Sequence, residues 1–122
     1  MDGDPVRYDI PRSAAAAGDA RRQLRERLNG QVGARTLGDA QIVLTEILGP
    51  WVSDGARTED IAVEAVAHDG GLRVTVAHLG VRLVRAVLAD DLRLSVIRGV
   101  ARDWGVGRGR DPVFWFEVAP AA

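Results

Sequence analysis

Hydrophobic and polar residues follow two different periods along this chain, and these periods predict where helices and strands lie. Two segments carry apolar residues at steps of three and four, the spacing of one face of an α-helix. The first is predicted to run from Ala14 to Leu28, and the second from Thr36 or Gly38 to about Val52. Pro50 lacks a backbone N–H and clashes with the carbonyl four residues before it, so the second helix should kink or stop there.

Apolar and polar residues alternate in the second half of the chain, which is typical of strands with one buried face. Ile61–His68 and Leu72–His78 are predicted strands, and Asp69-Gly70-Gly71 between them predicts a hairpin. A second predicted hairpin joins Trp104-Gly105-Val106 to Val113–Val118 across a GRGRD turn. After Gly80, a connection rich in Val, Leu, Arg and Ala should lead to a third helix, at about Asp91–Asp103.

These elements predict an α+β fold, a two-layer sandwich in which a mixed, mainly antiparallel sheet carries about three helices on one face. The 122 residues fit a single domain, 1–122, and disorder is expected only at about residues 1–6. No apolar run approaches the roughly 20 residues of a membrane helix. The N-terminus has no signal-peptide pattern, so we expect a cytoplasmic protein.

Composition excludes several kinds of chemistry. The absence of cysteine excludes disulfides, thiolate catalysis and cysteine–zinc sites. All 16 basic residues are arginine, which excludes a P-loop lysine and a lysine Schiff base. A net charge of −1 argues against a broad nucleic-acid-binding surface.

Five motifs together resemble one known architecture. They are AGDARRQLRERL, IVLTEILGPWVSDG, LRVTVAHLGVRL, DLRLSVIRGVARDWGV and DPVFWFEV, in this order along the chain. Their order resembles the Bergerat fold, the ATPase domain of histidine kinases and gyrase. They are most similar to the stand-alone anti-sigma-factor serine/threonine kinases, and the likeness covers nearly the whole chain.

The resemblance places Glu46 where that family has its general base. It places Pro50 at the asparagine that holds Mg²⁺, and Pro50 has no side-chain oxygen to ligate a hard cation. It places His78 at the aspartate that accepts a hydrogen bond from adenine. Losing the metal ligand and the adenine acceptor together should cost about 3–5 kcal/mol of binding, a factor of several hundred or more.

The glycine motifs of the family are also altered. Gly80 is retained, Arg82 replaces the second glycine, and Asp91 and Arg93 replace a later pair. An acidic Asp91 at the phosphate end would repel a triphosphate. Trp51 follows the lost asparagine, and its ring is expected to fill or narrow the old pocket. The degenerate pocket positions are thus Glu46, Pro50, His78, Gly80, Arg82, Asp91 and Arg93.

The resemblance therefore implies a degenerate regulatory protein that acts by protein–protein binding with little or no ATP turnover. Its partner would be a sigma factor, an anti-sigma antagonist or a kinase-like regulator, and self-association as a homodimer is also implied. The alternative is an active ATP-dependent serine/threonine kinase that uses Glu46 as general base with ATP and Mg²⁺. A third hypothesis is a different small ligand, held in an apolar cavity bordered by His78 and Trp51.

Three further expectations concern the histidines and the arginines. His78 is expected on the core-facing side of its strand, buried and hydrogen-bonded. His68 lies ten residues away on the opposite strand face, so the two histidines make a poor metal site and no metal is expected. The arginine-rich stretch Arg82–Arg98 is either a mixed-charge helix face or a surface on which a protein docks.

Overall fold

Residues 3–51, 57–107 and 109–120 are described by the computed structural model, and in this part of the chain four helices cover one face of a five-stranded sheet. The elements in chain order are β1 (Val6–Ile10), α1 (Ala16–Leu28), α2 (Ala34–Leu48), β2 (Ile61–His68), β3 (Gly71–Ala77), α3 (Val81–Leu88), α4 (Asp91–Val100), β4 (Asp103–Gly107) and β5 (Val113–Val118). The predicted α+β fold class is confirmed.

The sheet has the strand order β1-β2-β3-β5-β4, and all four pairings between these described strands are antiparallel. The expected mixed sheet is therefore corrected to an antiparallel one. The hairpin predicted between β2 and β3 is confirmed, with Asp69 and Gly70 at φ values of 49° and 81°. Arg108, in the predicted turn between β4 and β5, lies outside the described residues.

Alternation along the strands builds the core, because every second side chain faces the helices. Phe114 and Phe116 are fully buried at the centre of this face, and Phe114 stacks on Trp104 with ring centroids 5.6 Å apart. Tyr8 donates its hydroxyl hydrogen to the carbonyl of Ala20 in α1, and burial raises the pKa of Tyr8. This bond ties the edge strand β1 to the helical layer.

Two predictions about the chain after Gly80 need correction. The connection after Gly80 contains helix α3, because Leu83, Val84 and Val87 form a buried stripe at helical spacing. Helix α4 ends at Val100 rather than Asp103, and Asp103 instead begins β4.

Helix α2 begins earlier than expected, at Ala34, and it ends at Leu48, just before Gly49 and Pro50. The predicted stop near Pro50 is thus confirmed, whereas the end expected at Val52 falls at a residue outside the described part. In the described part, no helix combines the length and the apolarity that crossing a membrane requires.

Candidate functional site

Two clusters of charged side chains each include a position that the sequence singled out. The first joins α2 to α4 through Arg93. Its Nη1 lies 3.3 Å from Oε2 of Glu46 and 3.4 Å from the carbonyl oxygen of the same residue. The Arg93 Nε lies 3.3 Å from Oδ2 of Asp90. One guanidinium therefore bridges two carboxylates on different elements.

Local structure holds this bridge in place. Oδ1 of Asp90 accepts hydrogen bonds from the backbone N–H groups of Leu92 and Arg93, so Asp90 caps the start of α4. A Cβ added to Gly49 would lie only 2.7 Å from Nη1 of Arg93 and 2.6 Å from the carbonyl oxygen of Thr45. Gly49 thus leaves the space into which the guanidinium fits. The Glu46 and Arg93 side chains are 21% and 27% exposed, so the pair is partly shielded from water.

The second cluster lies where three strands begin or end. Glu59 precedes β2, His78 follows β3 and Asp111 precedes β5. Nδ1 of His78 lies 2.7 Å from Oδ2 of Asp111 and 3.5 Å from Oε2 of Glu59. Arg57 donates to Oδ2 of Asp111 over 2.7 Å and also pairs with Glu59. The cluster therefore gathers two carboxylates, an imidazole and a guanidinium.

Charge and burial act in opposite directions on Asp111. Burial raises the pKa of its carboxyl, but the hydrogen bonds from Arg57 and His78 and their charges lower it. The net pKa of Asp111 lies below its ordinary value, so the carboxylate is the stable form at neutral pH. Hydrogen bonding to Asp111 in turn raises the pKa of Arg57.

His78 has an uncommon backbone conformation, which Arg12 stabilises. Its φ is 63°, in the left-handed region that side chains other than glycine seldom adopt. Arg12 donates to the His78 carbonyl over 2.7 and 2.5 Å and to the Leu79 carbonyl over 3.0 Å. Gly80 follows with φ of 87°, which explains why glycine is required at that position. The left-handed turn directs the imidazole away from the core.

The prediction that His78 is buried on the core face is therefore wrong, because its side chain is 43% exposed. The prediction that it is hydrogen-bonded is confirmed. Trp51 is partly buried against the core, and its ring centroid lies 5.9 Å from the Arg12 guanidinium. Arg12 thus connects Trp51 to the loop that carries His78.

The remaining predicted positions are dispersed. Pro50 is half-buried just beyond α2, Asp91 is exposed in the first turn of α4, and Arg82 is exposed on α3. The structure brings Glu46 together with Arg93, and it joins His78 to residues that were not predicted. Those missed residues are Arg12, Arg57, Glu59 and Asp111. No local signal marks them, because Arg12 and His78 are 66 residues apart in the chain.

Two clefts, with volumes of about 490 and 550 Å³, lie elsewhere on the surface. The first borders the β2–β3 hairpin near Leu72 and Pro120, and the second lies between α1 and α2 near Asn29 and Leu37. Neither cleft includes a residue of the predicted nucleotide pocket.

The second cluster contains side chains that could hold a metal ion. One ligand atom from each of Glu59, His78 and Asp111 lies within 4.8 Å of the other two. Comparison of the chain with models of known protein families and with curated proteins gives no match. The resemblance to the anti-sigma-factor kinases therefore stays a prediction.

Proposed function

We propose that this chain is a cytoplasmic regulatory protein related to the anti-sigma-factor kinases, which acts by binding another protein and turns over little or no ATP. The observation that carries the proposal is the ion pair between Arg93 and Glu46. Glu46 occupies the position that the resemblance assigns to the general base, and Arg93 occupies a position of the glycines beside the phosphates. The base is thus paired within the chain itself.

The geometry of this pair is unfavourable for phosphoryl transfer. A general base must lie within hydrogen-bonding reach of the hydroxyl that it deprotonates. The Glu46 carboxylate is instead 3.3 Å from Nη1 of Arg93, and Arg93 packs directly against the Gly49 backbone. A substrate hydroxyl would have to displace Arg93. Pro50, the residue after Gly49, has no side-chain oxygen to ligate the Mg²⁺ that would hold the triphosphate.

Exposed apolar side chains on α3 and α4 support protein binding. We call them the α3–α4 surface, and they are Val81, Leu88, Leu92 and Val96. Leu92 is 82% exposed, and Val96 lies one turn further along the same helix face. Exposed apolar groups of this kind mark interaction sites when they are contiguous and bordered by polar residues.

The charges beside this surface indicate what kind of partner it would bind. The same two helices carry exposed arginines, Arg82 and Arg85 on α3 and Arg98 on α4, and one exposed carboxylate, Asp91 on α4. The complementary partner would present apolar side chains flanked by carboxylates. By the resemblance, this partner is a sigma factor, an anti-sigma antagonist or a kinase-like regulator. A second copy of the chain is the other candidate.

A calorimetric titration with Mg²⁺-ATP tests the loss of nucleotide chemistry. We expect the wild-type protein to bind more weakly than about 1 mM. The matched variant combines Pro50→Asn, His78→Asp and Arg93→Gly, which returns three positions to the residues of the resembled family, and it should bind measurably more tightly. Micromolar binding by the wild type, or phosphate transfer that Glu46→Gln abolishes, would establish the kinase alternative instead.

A second experiment tests the α3–α4 surface. A pull-down from cell extract identifies the partner, and Leu92→Asp should then weaken its binding at least about tenfold, because it places a carboxylate where apolar contact is expected. Gln31→Asp introduces the same group on an exposed loop beyond α1 and should have no effect. Sedimentation of the free protein distinguishes a partner protein from self-association. Equal binding by both variants would exclude this surface.

A further inference from the structure

Three potential metal ligands converge from distant parts of the chain in the second cluster. We propose that Glu59, His78 and Asp111 bind a divalent transition-metal ion of the zinc class. The ligands would be Nδ1 of His78 and one carboxylate oxygen from each acidic residue, all within 4.8 Å of one another. No metal was expected from the sequence, because the two histidines make a poor pair of ligands and Pro50 cannot ligate Mg²⁺.

The site is held in shape before any ion binds. Arg12 donates to the carbonyls of His78 and Leu79, so the left-handed turn that aims the imidazole at Asp111 is fixed by contacts outside the cluster. Oδ1 of Asp111 is buried and accepts no hydrogen bond within the described residues, which leaves one acceptor of the carboxylate unused. A metal ion bound through Oδ1 would give this oxygen a partner.

Metal binding would change which ring nitrogen of His78 carries the hydrogen. With the imidazole neutral and its hydrogen on Nδ1, the ring donates to Oδ2 of Asp111 over 2.7 Å. Metal binding at Nδ1 requires the other neutral tautomer, with the hydrogen on Nε2. The ring therefore releases the Nδ1 hydrogen to solvent and takes one up at Nε2. The hydrogen bond to Asp111 is then replaced by ligation of both groups to the same ion.

The electrostatic balance also favours a dication. Two carboxylates and one guanidinium give the cluster a net charge of −1 when His78 is neutral, because 1 − 2 = −1. Arg57 is the resident cation and contacts the same carboxylates that the ion would use. It therefore competes with the metal. Glu59 and His78 are 50% and 43% exposed, so the ion can enter from solvent and water can complete its coordination.

The ligand set indicates the class of ion. Imidazole nitrogen suits zinc, copper, iron and nickel, whereas an all-oxygen site suits Mg²⁺ and Ca²⁺. One nitrogen and two carboxylate oxygens thus favour Zn²⁺ and Co²⁺ over Mg²⁺. This preference separates the site from the Mg²⁺-nucleotide chemistry of the kinase alternative.

The test is calorimetric titration of the nucleotide-free protein with Zn²⁺, supported by the visible absorption of bound Co²⁺. We expect one ion per chain, and binding at least about tenfold weaker in Asp111→Asn and in His78→Asn. Asparagine tolerates the left-handed backbone at position 78, so the second variant keeps the turn. His68→Asn, at the exposed histidine of the β2–β3 hairpin, should bind like the wild type.

Arg57→Gln gives a result that a purely structural role would not produce. Removing the competing cation should tighten Zn²⁺ binding by about tenfold, whereas loosening the site would weaken it. Glu59→Gln changes a half-exposed residue and should weaken binding without unfolding the protein, which circular dichroism verifies. The proposal is overturned if the wild type binds no Zn²⁺ at about 1 mM. It is equally overturned if Mg²⁺ binds as tightly as Zn²⁺, or if His68→Asn alone removes the binding.

Discussion

Arg12 is expected to be one of the largest single polar contributions to the stability of this fold. It follows β1, yet its guanidinium donates three hydrogen bonds to the carbonyls of His78 and Leu79. Replacing Arg12 by methionine removes these bonds and the guanidinium contact with the Trp51 ring, and it keeps an unbranched apolar side chain at this position. The change therefore isolates the polar contribution of the side chain.

The magnitude follows from the number of acceptors. Two carbonyls receive the three bonds, and a hydrogen bond from a charged donor contributes about 1.5–3 kcal/mol, which gives about 3–6 kcal/mol. Nε of Arg12 is buried without a hydrogen-bond partner in the described residues, and this costs about 1–3 kcal/mol in the wild type. The difference is a loss of about 2–3 kcal/mol in the free energy of unfolding.

Urea unfolding followed by circular dichroism and tryptophan fluorescence measures this loss. Arg22→Met is the matched control, because Arg22 is exposed on α1 and its ion pairs among the described residues are with Asp19 and Glu26 of the same helix. We expect the control to change the free energy of unfolding by about 0.5 kcal/mol or less. If Arg12→Met and Arg22→Met unfold at equal urea concentrations and with equal slopes, the stabilising role of Arg12 is refuted.

Three further outcomes follow from burial and charge. Phe114→Ala should lower the free energy of unfolding by about 3–5 kcal/mol in urea, because it empties a fully buried position. Gly105→Val should destabilise by about 1–3 kcal/mol and shift tryptophan emission, since a Cβ there would lie 2.9 Å from the Trp115 ring, whereas unchanged emission would contradict that contact. The folded-state pKa of Asp111 lies below its unfolded value, so its stabilisation is complete above the unfolded value and is lost as pH falls through the folded one. Between pH of about 5 and 2 the wild type should therefore lose more stability than Asp111→Asn, and parallel pH profiles would contradict this.

The secondary structure was predicted wherever one local pattern was strong. Helix α2 was recognised because Val43, Leu44 and Ile47 keep helical spacing, and all three are fully buried. The β2–β3 hairpin was recognised from its glycine turn. Helix α3 was missed because it is eight residues long and is preceded by Gly80, which supplies no side-chain cap. Its apolar stripe is present, but neither end carries a signal that separates it from a loop.

The contacts of the two clusters could not be predicted in the same way. Glu46 and Arg93 are 47 residues apart, and His78 and Asp111 are 33 residues apart. His78 and Asp111 meet because the strand order places β5 beside β3, and Glu46 and Arg93 meet because α2 packs against α4. Asp111 was interpreted only as part of a turn, because nothing in its neighbourhood indicates that β5 brings it to His78.

In each cluster one arginine pairs with two carboxylates, but the two clusters differ in what can replace the arginine. Arg93 faces Glu46 in a space bounded by the Gly49 backbone, so an ion there would gain one side-chain ligand from α2 and displace a tightly packed cation. Arg57 is shared by two carboxylates that flank an imidazole, so an ion displacing it gains three ligands at once. We therefore expect the first cluster, around Arg93, to exclude Mg²⁺-ATP and the second cluster, around Arg57, to accept a transition metal. Zn²⁺ bound at Glu46 instead of Asp111 would contradict it.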